Sequence, residues 1–157
     1  MGSRYEWALF LHLVGAVLFF AGGAVAAVAF EAARRRELPD EIARLLGLTR
    51  VGVLLVAVGT VLLVAFGAWL VDLGNWGWGG WVAAALVLLG LSVLAGRAGG
   101  QWPKRARRLA SELAAGGREA TPELRRLLDH PLSATLNYGS AALALVILGL
   151  MVFKPGE

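Results

Sequence analysis

Four uninterrupted apolar runs, Trp7–Phe30, Val51–Val71, Trp76–Gly96 and Leu132–Phe153, alternate with arginine-rich stretches along this chain. Each run is 21 to 24 residues long. An α-helix needs about 20 residues to cross the hydrocarbon core of a bilayer. The run Val51–Val71 has no polar face at any period, so it must meet lipid or be wholly enclosed. A chain of 157 residues cannot wholly enclose four such helices. The pattern therefore predicts one all-α integral membrane domain over residues 1–157, an antiparallel four-helix transmembrane bundle. The first run is too long, and its start too poor in positive charge, for a cleaved signal peptide, so an uncleaved helix is expected.

The polar stretches carry shorter patterns. Pro39 is followed by Asp40 and Glu41, which suit the positive end of a helix dipole, and Ile42, Leu45 and Leu46 then share one face. Thr121 suits an N-cap and Pro122 the first helical position, with Leu124, Leu127 and Leu128 on one face. Two short amphipathic helices are expected there. A third helical stretch is expected over Arg105–Ala115, ending at Gly116 and Gly117. Glu41–Leu46 aligns with Glu123–Leu128, and each precedes an apolar run. The match fits a parallel repeat of two hairpins, and equally a shared need for an interfacial segment.

Charge orients the bundle. Thirteen of the 15 Lys and Arg residues lie in the stretches after the first and third runs, and only Arg4 and Lys154 lie at the other side. By the positive-inside bias both basic loops are expected in the cytoplasm and both termini outside, in a bacterial inner membrane. Trp7, Trp69, Trp76, Trp78 and Trp81 all fall at the expected outer ends, where indoles favour the headgroup layer. The segment Gly74–Trp81 reads as an interfacial anchor on a tight turn. Arg34–Arg36 and Lys104–Arg108 flank apolar runs and read as topology determinants touching anionic lipid rather than as nucleic-acid patches. The expected partners are the bilayer and either a second copy or a larger membrane complex, not nucleic acid.

Small residues supply the packing surfaces: Gly15, Gly22, Gly23, Ala26 and Ala27 on the first run, Gly52, Gly59 and Gly67 on the second, Gly139 and Ala142 on the fourth. They let backbones approach where lipid removes any hydrophobic drive between helices. Thr60, Ser92, Asn137 and Ser140 can add hydrogen bonds between helices.

Candidate chemistry is sparse. His12 is the one side chain within the four runs that titrates near neutrality. An ionisable group inside a span is a functional hypothesis by default. A neutral imidazole can ligate a metal such as haem iron, or simply hydrogen-bond a neighbouring helix; both readings stand. His130, the other histidine, belongs at the opposite end, so the two cannot share one haem within a protomer. Copper lacks a ligand cluster in a chain with no cysteine and two methionines. Asp72 and Glu6 are expected to face water, and Arg50 to snorkel to lipid phosphate. No P-loop, HExxH, GxSxG or dinucleotide-binding pattern is present. Buried carboxylates and broken helices, the marks of pumps and transporters, are lacking too.

The segments Leu11–Ala16 and Phe19–Gly23 resemble the first span of a broad bacterial group. That group includes copper-resistance D-like proteins, HemJ-type protoporphyrinogen oxidases and a small four-helix family of unknown function. Thr49–Gly52, Gly67–Leu70 and Met151–Gly156 resemble the last of these most closely. Resemblance to the oxidases implies haem b on the first-span histidine, here His12, and a lysine in the third span, which this chain lacks. Resemblance to the copper-resistance group implies metal handling. The expectation is a scaffold or accessory subunit without a catalytic centre; the alternative is a haem b protein with His12 as axial ligand.

Overall fold

The computed structural model describes residues 3–154. They form α1 (Arg4–Arg34), α2 (Pro39–Gly74), α3 (Gly80–Gly99), α4 (Gln101–Ala115), α5 (Pro122–Leu128) and α6 (Pro131–Phe153). Four helical stretches among them are long and apolar enough to cross a membrane. The all-helical architecture is the expected one. Its boundaries differ from expectation in two places.

The first difference is α2. The amphipathic segment expected at residues 39–46 is not a separate helix. It forms the opening turns of a single 36-residue helix that continues through the second apolar run. Pro39 sits at its start, where a missing N–H costs nothing. No proline or glycine pair follows to break it, and the Thr49 hydroxyl donates back to the Leu46 carbonyl at 2.6 Å, inside the helical path. The second difference is the start of the third span. Asn75 and Gly77 have positive φ, and residues 76–79 form a turn that delays α3 to Gly80, itself at φ +58°.

Other ends follow the sequence signals. Ser3 and Glu6 close a capping box on α1. Thr121 accepts from the Leu124 N–H at the start of α5. α3 and α4 meet at Gly100, and Pro103 lacks the N–H that would have bonded the Gly99 carbonyl. The Ser133 hydroxyl of α6 donates to that carbonyl instead, at 3.1 Å.

α1 and α2 pack as an antiparallel hairpin. Two heptad series on α1, Ala8–Gly15–Gly22–Ala29 and His12–Phe19–Ala26–Ala33, run along its contact face. The glycines set the approach distance. A Cβ added to Gly22 would lie 2.5 Å from the Gly52 carbonyl oxygen, and one on Gly59 would lie 2.7 Å from that of Gly15. Gly23 and Gly139, expected to share this role, face open space.

α3 and α6 form the second pair, joined by polar rungs. Ser92 and Ser140 each donate to the other's backbone carbonyl, at 3.0 and 2.9 Å. Asn137 packs against Gly99, and Ser140 against Gly96. The pairs meet through Phe19, Ala85, Leu89, Ala144 and Ile147.

A second core lies at the arginine-rich end. Ala33, Ile42, Leu46, Ala106, Ala110, Leu113, Leu124 and Leu128 are each at most 2% exposed and join α1, α2, α4 and α5. The aligned positions Ile42 and Leu124, and Leu46 and Leu128, all enter this one cluster.

Candidate functional site

His12 occupies the α1–α2 seam, one helical turn beyond Ala8, and is 8% exposed. Its Nδ1 lies 3.1 Å from the Leu63 carbonyl oxygen of α2. A helical carbonyl points toward the residue four positions on, and here that residue is Gly67. With no side chain at 67, the imidazole reaches an oxygen already bonded within its helix. A Cβ at Gly67 would stand 3.1 Å from His12 Cε1 and 3.2 Å from Nδ1. Since a carbonyl can only accept, Nδ1 carries the proton in this bond. Nε2 is left as the acceptor nitrogen.

The other polar residues do not converge on His12. Glu6 completes the Ser3 capping box, and Asp72 is exposed. His130 caps α6 at the arginine-rich end and stacks on Trp102, with ring centroids 4.6 Å apart. From His12 to Arg34, whose guanidinium bonds Asp129 beside His130, α1 rises about 33 Å. Among the described residues no three His, Cys, Asp or Glu side chains gather as metal ligands. Two clefts are present, and His12 lines neither. One, about 330 Å³, lies between α2 and α3 and is lined by Thr60, Val64, Leu89 and Val93 among others. The second, about 320 Å³, is lined by Val71, Asp72, Asn75, Gly77 and Trp78.

The aromatic end is built on the α2–α3 turn. Trp76 covers Gly74 and lies 5.9 Å from Trp81, and Lys154 Nζ sits 4.0 Å above the Trp76 ring. This cation–π contact ties the end of α6 to the turn. Trp7 and Trp78 remain more than half exposed.

The arginine-rich end is ordered by side-chain to backbone bonds that the charge pattern alone does not reveal. Arg125 of α5 donates to the Arg34 carbonyl at 3.1 Å and the Arg36 carbonyl at 2.6 Å. It thereby caps the negative end of α1. Arg34 pairs with Glu31 and Asp129, both at 3.1 Å. Arg50 does not pair with Asn137, a pairing the sequence also allowed; Asn137 lies against α3.

The family model for a predicted integral membrane protein, DUF2269, matches residues 7–155. The chain belongs to that family. The match spans all four long apolar helices and agrees with the resemblance to a small four-helix membrane family of unknown function. DUF2269 membership establishes an integral membrane protein and carries no activity with it. No curated protein and no solved structure matches the chain.

Proposed function

We propose that this DUF2269 protein is a scaffold or accessory subunit of a bacterial inner-membrane assembly, with both chain ends outside and the arginine-rich end in the cytoplasm. The observation that carries this reading is the use made of His12. The one neutral-range titratable group within the spans forms a seam bond to Leu63. Around that seam the outer helix faces stay apolar and open: Phe10, Leu13 and Val17 on α1, Leu145 and Val146 on α6. Such faces suit lipid or a neighbouring membrane helix. The arrangement of thirteen basic residues at one end supports the orientation. Protein solubilised in mild detergent should migrate with a larger complex on a native gel. Migration as a lone 16.6 kDa chain under every mild extraction would defeat the proposal. A tag on either terminus should be reachable from outside the cell only.

One observation favours a second reading, haem b held by His12. Ligating histidines commonly donate their second ring nitrogen to a carbonyl, which fixes the tautomer. The bond from Nδ1 to Leu63 has that form and leaves Nε2 able to bind iron. Bound haem would supply one-electron redox chemistry; His12 would hold it and the Leu63 carbonyl would orient the ring. His130 is too distant to serve as the second axial ligand. The visible spectrum of protein from haem-replete cells separates the readings. A Soret band lost in His12→Ala supports haem, and a colourless protein supports the scaffold alone.

A further inference from the structure

The basic residues of the arginine-rich end divide into two groups. Those near the α1–α2 loop have acidic or carbonyl partners: Arg34 and Arg35 with Glu31, Arg36 with Glu41, Arg44 with Asp40, and Arg125 with the end of α1. Arg50, Lys104, Arg107 and Arg108 have no ion pair among the described residues. Glu112, one turn beyond Arg108, does not come within pairing distance of it.

This second group is nevertheless held together. Arg50 lies one turn beyond Leu46 on α2, while Arg107 is flanked by Ala106 and Ala110 on α4. Leu46, Ala106 and Ala110 pack in one core, which brings the like charges onto neighbouring surfaces. Lys104 and Arg108 are one turn apart on α4. Burial, and then repulsion from Arg50 and Arg108, push the Arg107 guanidinium below its ordinary value. Folding thus gathers positive charge that the chain does not itself neutralise. The place is informative as well. Arg50 immediately precedes the apolar run Val51–Val71, and α4 follows directly on α3 where the third span ends. That is the level of lipid headgroups.

We propose that Arg50, Arg107 and Arg108, with Lys104, form a binding site for the headgroup of an anionic phospholipid. The guanidinium forks offer paired N–H donors to phosphate oxygens, and the lipid's negative charge relieves the repulsion among them. Basic side chains near an anionic surface contribute about fivefold each to binding. The inference depends on membrane insertion and is independent of the scaffold and haem readings.

The test uses the full chain in nanodiscs and in neutral detergent. Native mass spectrometry reads retained phosphatidylglycerol against phosphatidylcholine. Wild type should retain phosphatidylglycerol selectively, and salt should weaken that retention. Arg50→Gln/Arg107→Gln/Arg108→Gln should lower it at least about tenfold. Arg118→Gln, a single charge change about 16 Å farther along the chain if helical rise is taken as the measure, should leave it unchanged. In neutral detergent Arg107→Gln alone should raise Tm, because a repelled charge is removed; this readout survives even if the triple variant folds poorly. Equal retention of both lipids by wild type, equal loss in Arg118→Gln, or full competition by inorganic phosphate at matched concentration would overturn the assignment. So would retention of a single-stranded oligonucleotide in phosphatidylcholine discs that the triple variant abolishes while phosphatidylglycerol retention persists.

Discussion

The two cores of this protein are built by opposite means. At the arginine-rich end, Ile42, Leu46, Leu113, Leu124 and Leu128 are nearly wholly buried, as in a water-soluble domain. In the spans, Gly15, Gly22, Gly52 and Gly59 occupy the closest helix contact, and leucine and valine turn outward: Leu54 is 64% exposed. The solvent decides. Beyond the spans, water rewards burial of large side chains. Within lipid an outward leucine is already in an apolar medium, so close approach and interhelical hydrogen bonds hold the pairs.

Substitutions can break this contrast. The largest effect is expected at the charged end, where Leu46→Ala should cost about 3 kcal/mol through the cavity it leaves. Leu54→Ala, facing lipid, should change stability little. Denaturant titration with the protein held in a constant micelle composition compares them, and equal losses would erase the distinction between the cores. Gly22→Leu follows, at about 1–3 kcal/mol from forced separation of α1 and α2. Cysteine cross-linking across positions 15 and 59 should fall with it. Arg125→Met should cost about 1 kcal/mol by stripping two carbonyls of α1 of their donor, and amide exchange at residues 34–38 should quicken. Smallest is Ser92→Ala, expected at about 0.6 kcal/mol, near the average for a polar contact between membrane helices. A loss there as large as in Leu46→Ala would mean that the serine rungs, rather than backbone approach, dominate the α3–α6 pair.

Much of the fold was legible because lipid imposes a coarse rule. A run of about 20 apolar residues is visible without any knowledge of contacts. Thr121, Pro122 and the Gly116–Gly117 stop were legible for a similar reason, since each acts on its own backbone. The joining of residues 39–50 to the second span was not: a change from amphipathic to wholly apolar pattern suggests two helices, while backbone continuity needs only the lack of a breaker. Gly67 was recognised as a packing residue, but its pairing with Leu63 depends on register between α1 and α2. The heptad series through Ala8, His12, Gly15 and Phe19 was the available sign that His12 faces a helix seam. Arg125 could be read only as charge, because its carbonyl partners lie about ninety positions away in sequence.

The unbroken run of α2 has a mechanical consequence. Its 36 residues extend about 54 Å, against a hydrocarbon layer of about 30 Å. Roughly 24 Å therefore stands clear of the oily layer as a stiff lever with no joint at the surface. If a thinner bilayer leans the inserted part by about 10°, the far tip swings by about 4 Å, carrying Ile42 and Leu46 with it.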